Sequence, residues 1–284
     1  MRREILGGAG LLVTTIALTF ISWTASPEKA ASAGIDTSGT TLNVQTAGKD
    51  TVSGNLMETE TSRYQTYLKR VYDLAHLAEA GLSLPVFEKA VTGFYNLKNS
   101  GKLSKDKSVL TIADFDMSST KKRLWIVDLD KGSLLLNTWV AHGQGSGNDK
   151  ANAFSNRSNS HQSSLGFYVT GEIYRGQHGR SLRLDGMDAG FNSNARSRAI
   201  VVHGADYVSQ GTINALGRLG RSHGCPAVAP ELTNKVIDAI EGKTVLFINS
   251  SEQNYQSKYL DTQAAALFAS AQNLSSEVSA ASLD

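Results

Sequence analysis

Short apolar runs separated by turn-forming residues dominate the chain between residues 107 and 250. Each run is bounded by clusters of Gly, Asn, Ser and Asp, a pattern typical of β-strands. The runs are Val109–Phe115, Leu124–Leu129, Leu134–Ala141, Leu165–Thr170, Ser181–Leu184, Ala199–His203 and Val245–Asn249. They predict a mainly β domain of the α+β class, arranged as a β-sandwich or an open barrel. Between the last two runs, Pro230 can begin and Gly242 can end a short helix.

Helical periodicity precedes these strands. Apolar residues recur at three- and four-residue spacing from Tyr64 to Ala78, and Gly81 can end that helix in a left-handed conformation. A second helix is predicted to begin at Pro85 and to carry one apolar face as far as Phe94. We therefore expect residues 62–103 to form a helical hairpin that packs against the β domain.

The segments outside the two predicted structural regions differ in composition. Residues 1–33 combine N-terminal arginines, an apolar stretch and Ala31-Ser32-Ala33, a small-x-small pattern typical of signal peptidase sites. We interpret them as an export signal, with an uncleaved membrane anchor as the alternative because the stretch approaches the roughly 20 residues of a span. Residues 34–61, rich in Thr, Ser, Gly and Asp, are predicted to be a flexible linker. Residues 251–284 are an Ala-, Ser- and Gln-rich tail to which no structure is assigned.

The charge balance indicates which partners to expect. The formal net charge is +2 over 284 residues, which gives no support to nucleic-acid binding, where a basic face would be expected. The N-terminal segment predicts an extracytoplasmic location, periplasmic or associated with a cell wall, and no membrane contact beyond that segment. The sequence leaves the oligomeric state open.

The only cysteine of the chain is the centre of its candidate chemistry. Cys225 lies in Arg221-Ser222-His223-Gly224-Cys225-Pro226, and a single thiol in an exported chain cannot form an internal disulfide. A cysteine nucleophile needs a base and hydrogen-bond donors for the oxyanion that forms. His203, at the end of an apolar run, and His223, two residues before the cysteine, are the candidate bases. The amides of Gly224 and Cys225 are the candidate oxyanion donors.

These residues carry a resemblance to a known family. His203-Gly204 followed by Ser222-His223-Gly224-Cys225 strongly resembles the signature of the L,D-transpeptidases, bacterial cell-wall enzymes with a mainly β catalytic domain. The resemblance extends from about residue 111 through residue 247. Its further landmarks are Val140-Ala141-His142-Gly143, Phe154-Ser155-Asn156, Ser163-Ser164-Leu165-Gly166, Ser181-Leu182-Arg183-Leu184-Asp185-Gly186 and Gly220-Arg221 through Pro226-Ala227.

The resemblance implies a reaction and roles for the matching positions. Cys225 would attack the carbonyl at the L centre of the diamino acid that precedes a terminal D-alanine in a peptidoglycan stem peptide, and D-alanine would leave. The thioester would then pass to an amine, giving a 3→3 crosslink, or to water, giving L,D-carboxypeptidase activity. His203 would be the general base, held by a backbone carbonyl, and His223 a secondary donor. The mechanism implies no metal and no organic cofactor.

Two departures from the family pattern affect substrate recognition. Eighteen residues separate His203 from Ser222, slightly more than is usual in the family, and Pro226-Ala227 follows the cysteine where the family commonly has an apolar residue and then Arg or Asn. The missing polar group must come from elsewhere, with Arg221 and Arg183 as candidates. The predicted substrate-binding residues are Ser222, Arg221, Arg183, Asp185, Ser163 and Ser164.

Two alternatives of other classes stay open. Imidazole and thiolate are common zinc ligands, so His142, His161 and His178 together with the candidate site could form a metal-dependent cell-wall peptidase, although their spacing matches no compact zinc motif. These three histidines also suit ordinary turn positions. The other alternative is a non-catalytic wall-binding module, which would keep the fold; loss of Cys225 or His203 would have indicated it, and both are present.

Overall fold

The computed structural model of the protein describes residues 49–251 and 254–281, and describes side chains for residues 59–251 and 254–272. The predicted export signal and the first part of the predicted linker lie outside these residues. The described part of the chain forms one compact unit. Within it, no helix has the length and apolar character that crossing a membrane requires.

Eight strands form a single mixed sheet. The strands are β1 Val109–Asp114, β2 Leu124–Asp128, β3 Ser133–Thr138, β4 Gly166–Gly176, β5 Gly179–Gly186, β6 Val201–Gly204, β7 Ala227–Val228 and β8 Val245–Asn249. Their order across the sheet is β3-β2-β1-β8-β4-β5-β6-β7. The pairs β1–β8 and β6–β7 are parallel, and the remaining pairs are antiparallel. Each predicted run contains or overlaps a strand, whereas β7 is only two residues long and was not predicted.

The sheet nearly closes into a barrel beyond its two edge strands. Ala141, which follows β3, forms an antiparallel bridge with Ala227 of β7, and Gly143 forms a parallel bridge with Ser222. The two bridges join the ends of the sheet order, next to β3 and β7. Pairing of this kind removes the free edges of a sheet. Of the two predicted arrangements, the open barrel is therefore the one adopted. We call this line of two bridges the seam; Cys225 lies between its members Ser222 and Ala227.

In the described part of the chain, five helices accompany the sheet. They are α1 Lys49–Leu74, α2 Leu84–Asn99, α3 Gln210–Leu216, α4 Thr233–Ile240 and α5 Thr262–Ala281. The predicted hairpin corresponds to α1 and α2, and α4 follows a 3₁₀ turn at Pro230–Leu232, as the proline predicts. Helix α1 begins at Lys49, inside the segment predicted to be a flexible linker, so the second half of that prediction is wrong.

One face of the sheet is covered by helices α1, α2 and α5. Phe87 and Phe94 of α2 belong to the same buried cluster as Trp125, Phe167 and Phe247 of the sheet. The closest approach is at Gly93, where an added Cβ would lie 2.0 Å from the ring of Phe167. This packing fixes the sheet on the side away from α4.

The other face of the sheet packs on α4. Val236, Ile237 and Ile240 form a second buried cluster with the inward side chains of β5, β6 and β8. Leu182 and Val202 are both members of this cluster, so the inner face of β6 is held in the core. The strand that carries His203 is therefore fixed by packing rather than by loops.

The C-terminal tail is ordered over α5, contrary to the sequence analysis, which assigned it no structure. Ala265, Ala266 and Ala269 are buried against the first two helices, and Asn96 donates to the carbonyls of Tyr259 and Asp261 at 2.8 Å each. Small side chains allow helices to approach each other closely. An alanine-rich helix can therefore be buried by close packing although it has few large apolar side chains. The composition was therefore a poor guide to order here.

Candidate active site

Cys225 lies in a turn that its own serine holds in shape. Ser222 Oγ accepts a hydrogen bond from the Gly224 amide at 3.0 Å and donates to the Cys225 carbonyl at 2.6 Å. Gly224 has φ 121°, and an added Cβ would lie 2.7 Å from the Gln162 carbonyl oxygen, so both conformation and packing require glycine there. The Cys225 side chain is half-buried in this turn.

This geometry leaves only one of the two predicted oxyanion donors available. Because the Gly224 amide donates to Ser222 Oγ, it is already used and cannot serve an incoming oxyanion in this arrangement. Among the hydrogen bonds of the described residues, none uses the amide of Cys225. The Cys225 amide is therefore the candidate donor that stays available.

Strand β6 brings His203 next to this turn. In the parallel β6–β7 ladder His203 pairs with Ala227, so Cys225, two residues before Ala227, falls beside Val201. The Cys225 thiol lies 3.7 Å from the Ala199 carbonyl, and the Val201 amide hydrogen-bonds the sulfur. Val201 and His203 are two residues apart on one strand, so their side chains lie on the same face. Because Cys225 lies beside Val201, Cys225 and His203 are diagonal neighbours across the two strands.

The imidazole of His203 is oriented by the backbone. Its Nδ1 lies 2.9 Å from the carbonyl oxygen of Gly204. A carbonyl can only accept, so Nδ1 carries the proton and Nε2 is left with a free lone pair. This is the tautomer that a general base needs, with a backbone carbonyl as its anchor.

Both groups of this pair have pKa values that favour their neutral forms. Burial lowers the pKa of His203, helped by the charge of His178 and opposed by the hydrogen bond to Gly204. Burial raises the pKa of the Cys225 thiol, opposed by the Val201 amide and by the charge of Arg198. A neutral thiol beside a neutral imidazole means that the proton moves during attack rather than before it.

His178 and His161, which suit plain turn positions in the sequence, each stack on one of the candidate bases. His178, at the turn between β4 and β5, lies with its ring centroid 4.2 Å from that of His203. His161 lies 4.3 Å from His223, with the two rings nearly parallel. His223 is exposed, whereas His203 is buried. No local pattern distinguishes His161 and His178 from turn residues, because only the barrel brings them to the site.

His142 is placed away from this chemistry. It is fully buried, with Nδ1 2.7 Å from a guanidinium nitrogen of Arg123. Burial and the charge of Arg123 lower the pKa of His142 to about 4. In the described part of the chain, no three His, Cys, Asp or Glu side chains gather into a group that could hold a metal ion.

The serines predicted to bind substrate are engaged in internal hydrogen bonds. Ser163 Oγ accepts from the Gly143 amide at 3.0 Å and donates to the Gly224 carbonyl at 3.3 Å. Ser164 Oγ donates to the Ser155 carbonyl at 2.7 Å. Both serines are buried, as is Ser222. In the structure these hydroxyls hold the turn at Cys225 and its neighbouring loop; their contact with substrate stays a prediction.

The three charged residues predicted to bind substrate also have partners within the chain. Arg221 donates to the carbonyls of Gln144 and Gly147 and to Asn148, and so braces the loop after the seam. Arg183 pairs with Glu172 at 2.9 Å. Asp185 accepts from Arg196, which also pairs with Glu172. None of these contacts supplies the polar group that Pro226-Ala227 lacks.

An open cleft of about 570 Å³ lies beside His178 and Gly204. Its lining combines the β4–β5 turn with the segment after β6 and residues near α4: Arg175, Gln177, His178, Arg180, Gly204, Ala205, Asp206, Tyr207, Pro230, Thr233 and Asn234. Burial, with a smaller contribution from Cys225, raises the pKa of Tyr207 to about 12. Nothing in the sequence marks Tyr207 as a residue of this cleft, because a tyrosine in a loop carries no signal of its own.

Comparison with known proteins places the chain in a family. The sequence matches the family model of the L,D-transpeptidase catalytic domain over residues 78–249. No curated protein matches the sequence. Similar solved structures include an L,D-transpeptidase from Mycobacterium smegmatis, at 13% identity and TM-score 0.32, covering 51% of this chain and 59% of that one. Another is an L,D-transpeptidase from Mycobacterium tuberculosis H37Rv, at 16% identity and TM-score 0.31, covering 51% of this chain and 58% of that one.

A third similar structure is the helical cell shape determining protein Pgp2 from Campylobacter jejuni, at 12% identity and TM-score 0.37, covering 62% of each chain. The chain spans about three fifths of the length of these structures. The family match itself extends over more than half of the chain and includes the turn at Cys225, β6 and both histidine stacks. The chain therefore belongs to the L,D-transpeptidase catalytic domain family.

Proposed function

We propose that this protein is a peptidoglycan L,D-transpeptidase in which Cys225 is the nucleophile and His203 the general base. One observation carries the proposal: the only thiol of the chain lies against β6, the strand on which His203 keeps Nε2 free. Family membership supports the substrate class, the stem peptides of peptidoglycan. Export by residues 1–33 to an extracytoplasmic site is part of the same proposal.

The first half of the reaction forms a thioester. The sulfur of Cys225 attacks the carbonyl carbon that precedes the terminal D-alanine, and the thiol proton passes to Nε2 of His203. The carbonyl oxygen becomes an oxyanion, for which the Cys225 amide is the donor. The C–N bond then breaks, and the departing D-alanine amine takes the proton from His203.

The second half transfers the acyl group to an acceptor. An amine of another stem attacks the thioester carbon and loses a proton to His203, and the sulfur of Cys225 leaves and recovers that proton. The product is a 3→3 crosslink. If water attacks instead, the same steps give a free carboxylate, which is the L,D-carboxypeptidase outcome.

The experiment is intact-mass analysis of the folded protein after incubation with tetrapeptide-stem muropeptides and, separately, with a carbapenem. We expect a covalent adduct on the wild type, release of D-alanine and 3→3 dimers, and no adduct on Cys225→Ala. A folded wild type that forms no adduct and releases no D-alanine contradicts the proposal and favours a wall-binding module. Loss of activity on chelation, with the thiol intact, favours a metal-dependent peptidase.

A matched pair of histidine variants tests the choice of base. His203→Gln should lower the rate of D-alanine release by about 10²–10⁴-fold, the usual contribution of a general base. His223→Gln should have a much smaller effect because that ring is exposed and stacked on His161. The reverse order of effects would exchange the two roles.

A further inference from the structure

Arg198 is held close to the nucleophile turn by a set of neutral acceptors. Its guanidinium donates to the carbonyls of Ser155 and Gln162, both at 2.7 Å, and to the hydroxyls of Ser160 and Ser164. All four acceptors belong to the loop between residues 155 and 164. The side chain is half-buried.

The charge of Arg198 is not compensated by a carboxylate. Among the ion pairs of the described residues, none includes Arg198. Arg196, two residues earlier, is in the opposite situation, since it pairs with both Glu172 and Asp185. A guanidinium stays protonated at neutral pH even where burial lowers the pKa of Arg198. A whole positive charge is therefore fixed in a half-buried position.

The position of this charge relative to Cys225 follows from two contacts. A Cβ added to Gly224 would lie 3.3 Å from a terminal nitrogen of Arg198, so the guanidinium is next to the residue before the nucleophile. The Cys225 thiol itself contacts the carbonyl of Ala199, the residue after Arg198. A positive charge at such a site stabilises the thiolate relative to the thiol.

We propose that Arg198 is a positioning residue that makes Cys225 reactive, because its uncompensated charge offsets the burial of the sulfur while its hydrogen bonds hold the loop at residues 155–164 against the turn. The proposal rests on Cys225 being the nucleophile, as in the proposed function. It adds a residue with no part in the cysteine–histidine motif.

Other ionisable groups near the sulfur contribute differently. His203 on β6 and Tyr207 after it are neutral at neutral pH, because burial lowers the pKa of the first and raises that of the second. Tyr168 on β4 lies near Arg198; its hydroxyl donates to the Ser164 carbonyl, and burial raises its pKa. The exposed ring of His223 lies two residues before Cys225 in the turn. Of these groups, only Arg198 is a permanent cation.

The test uses the full chain and measures the rate of Cys225 alkylation by iodoacetamide as a function of pH. Because Cys225 is the only cysteine, intact mass reports that one thiol. In Arg198→Gln we expect the alkylation midpoint to rise by about one pH unit and the rate at neutral pH to fall about tenfold. Arg196→Gln is the matched control, and its midpoint should equal that of the wild type.

The proposal is overturned if Arg198→Gln leaves the midpoint unchanged, or if Arg196→Gln shifts it equally. Should Arg198→Gln not fold, Arg198→Lys gives an independent test, since it keeps the charge but loses the planar fork of donors. Its midpoint should stay within about half a unit of the wild type; a full-unit rise would show that the charge is not what matters. Alkylation requires no stem peptide, so this result does not depend on the transpeptidase assay.

Discussion

At the scale of single residues, the proposed base His203 is covered by a second imidazole. His203 is buried beneath the exposed ring of His178, which contributes a second ionisable imidazole 4.2 Å away. Burial lowers the pKa of His203, and the charge of His178 adds to that effect. We therefore expect His178 to influence the proposed reaction through the pKa of His203, without contact to the scissile bond.

His178→Ala should move the acid limb of the pH profile upward. A base works only when neutral, so activity falls as pH drops through the pKa of His203, which in the wild type lies below the ordinary value of about 6.5. Without the covering ring that pKa returns toward its ordinary value, and relative activity just below neutral pH decreases. The pH dependence of kcat/KM for D-alanine release measures this shift. His161→Ala is the control, because its ring stacks on His223; equal midpoints in wild type and His178→Ala would contradict the expectation.

The sequence singled out Cys225 and His203, which the structure places just before β7 and on the neighbouring strand β6, but it did not show the contacts of their neighbours. These two residues were singled out because a nucleophile and its base must be of particular residue types. Ser163 and Ser164 were assigned to substrate, whereas they bond the Gly224 carbonyl and the Ser155 carbonyl. A hydroxyl that faces a ligand and one that bonds its own backbone are identical in sequence, so only the fold separates them. Arg198 was not singled out for the same reason.

At the scale of elements, apolar patterning predicted the longer strands and the hairpin. It failed where an element is defined by pairing rather than by its own residues. Strand β7 consists of two residues, too few for any periodicity, and exists because it pairs with β6. The β4–β5 hairpin reaches Gly176 and Gly179, well beyond the predicted runs, through a stretch in which Arg175 pairs with Arg180 and no apolar alternation is present. Its tip carries His178.

Gly93→Val should loosen α2 from the sheet. An added Cβ would lie 2.0 Å from the Phe167 ring, which is itself stacked on Phe247, so neither the helix nor the ring can move without disturbing the core. We expect a loss of about 3 kcal/mol or more in the free energy of unfolding, measured by urea denaturation. Gly211→Ala, on an exposed helix where the added Cβ would lie 3.8 Å from Ser209 Oγ, an ordinary contact, should leave stability unchanged or slightly raised. Equal effects of the two substitutions would disprove this account of the packing.

At the scale of the whole molecule, one sheet serves two cores. Its outer face is covered by α1, α2 and α5 and its inner face by α4, so the predicted division into a hairpin at 62–103 and a catalytic domain at 107–250 does not match two independent cores. The C-terminal helix completes the outer core from the far end of the chain. Composition alone could not show that the two ends share one core, because the segments that form α1 and α5 are only weakly apolar.

A fragment of residues 107–250 should therefore not fold alone. It would expose Trp125, Phe167 and Phe247, each fully buried in the intact protein. Burial of such side chains contributes about 1.5–3 kcal/mol each, and their sum is comparable with the roughly 5–15 kcal/mol that stabilises a whole domain. Size-exclusion chromatography and circular dichroism should show aggregation of this fragment and a folded monomeric or oligomeric species for residues 59–272. A soluble, cooperatively folded 107–250 fragment would contradict the shared core.

The seam also explains why the spacing between His203 and Ser222 can exceed the family interval. The two residues are brought together by the β6–β7 ladder and by the Gly143–Ser222 bridge, both of which are independent of the chain that connects them. Within that chain, α3 has no buried residue, and lengthening such an exposed segment by a few residues changes its closure entropy by only a few tenths of a kcal/mol. Insertions there are therefore nearly neutral for the placement of His203 beside the turn at Cys225. The exposed helix α3 is accordingly the part of residues 205–221 that can change in length without moving either residue.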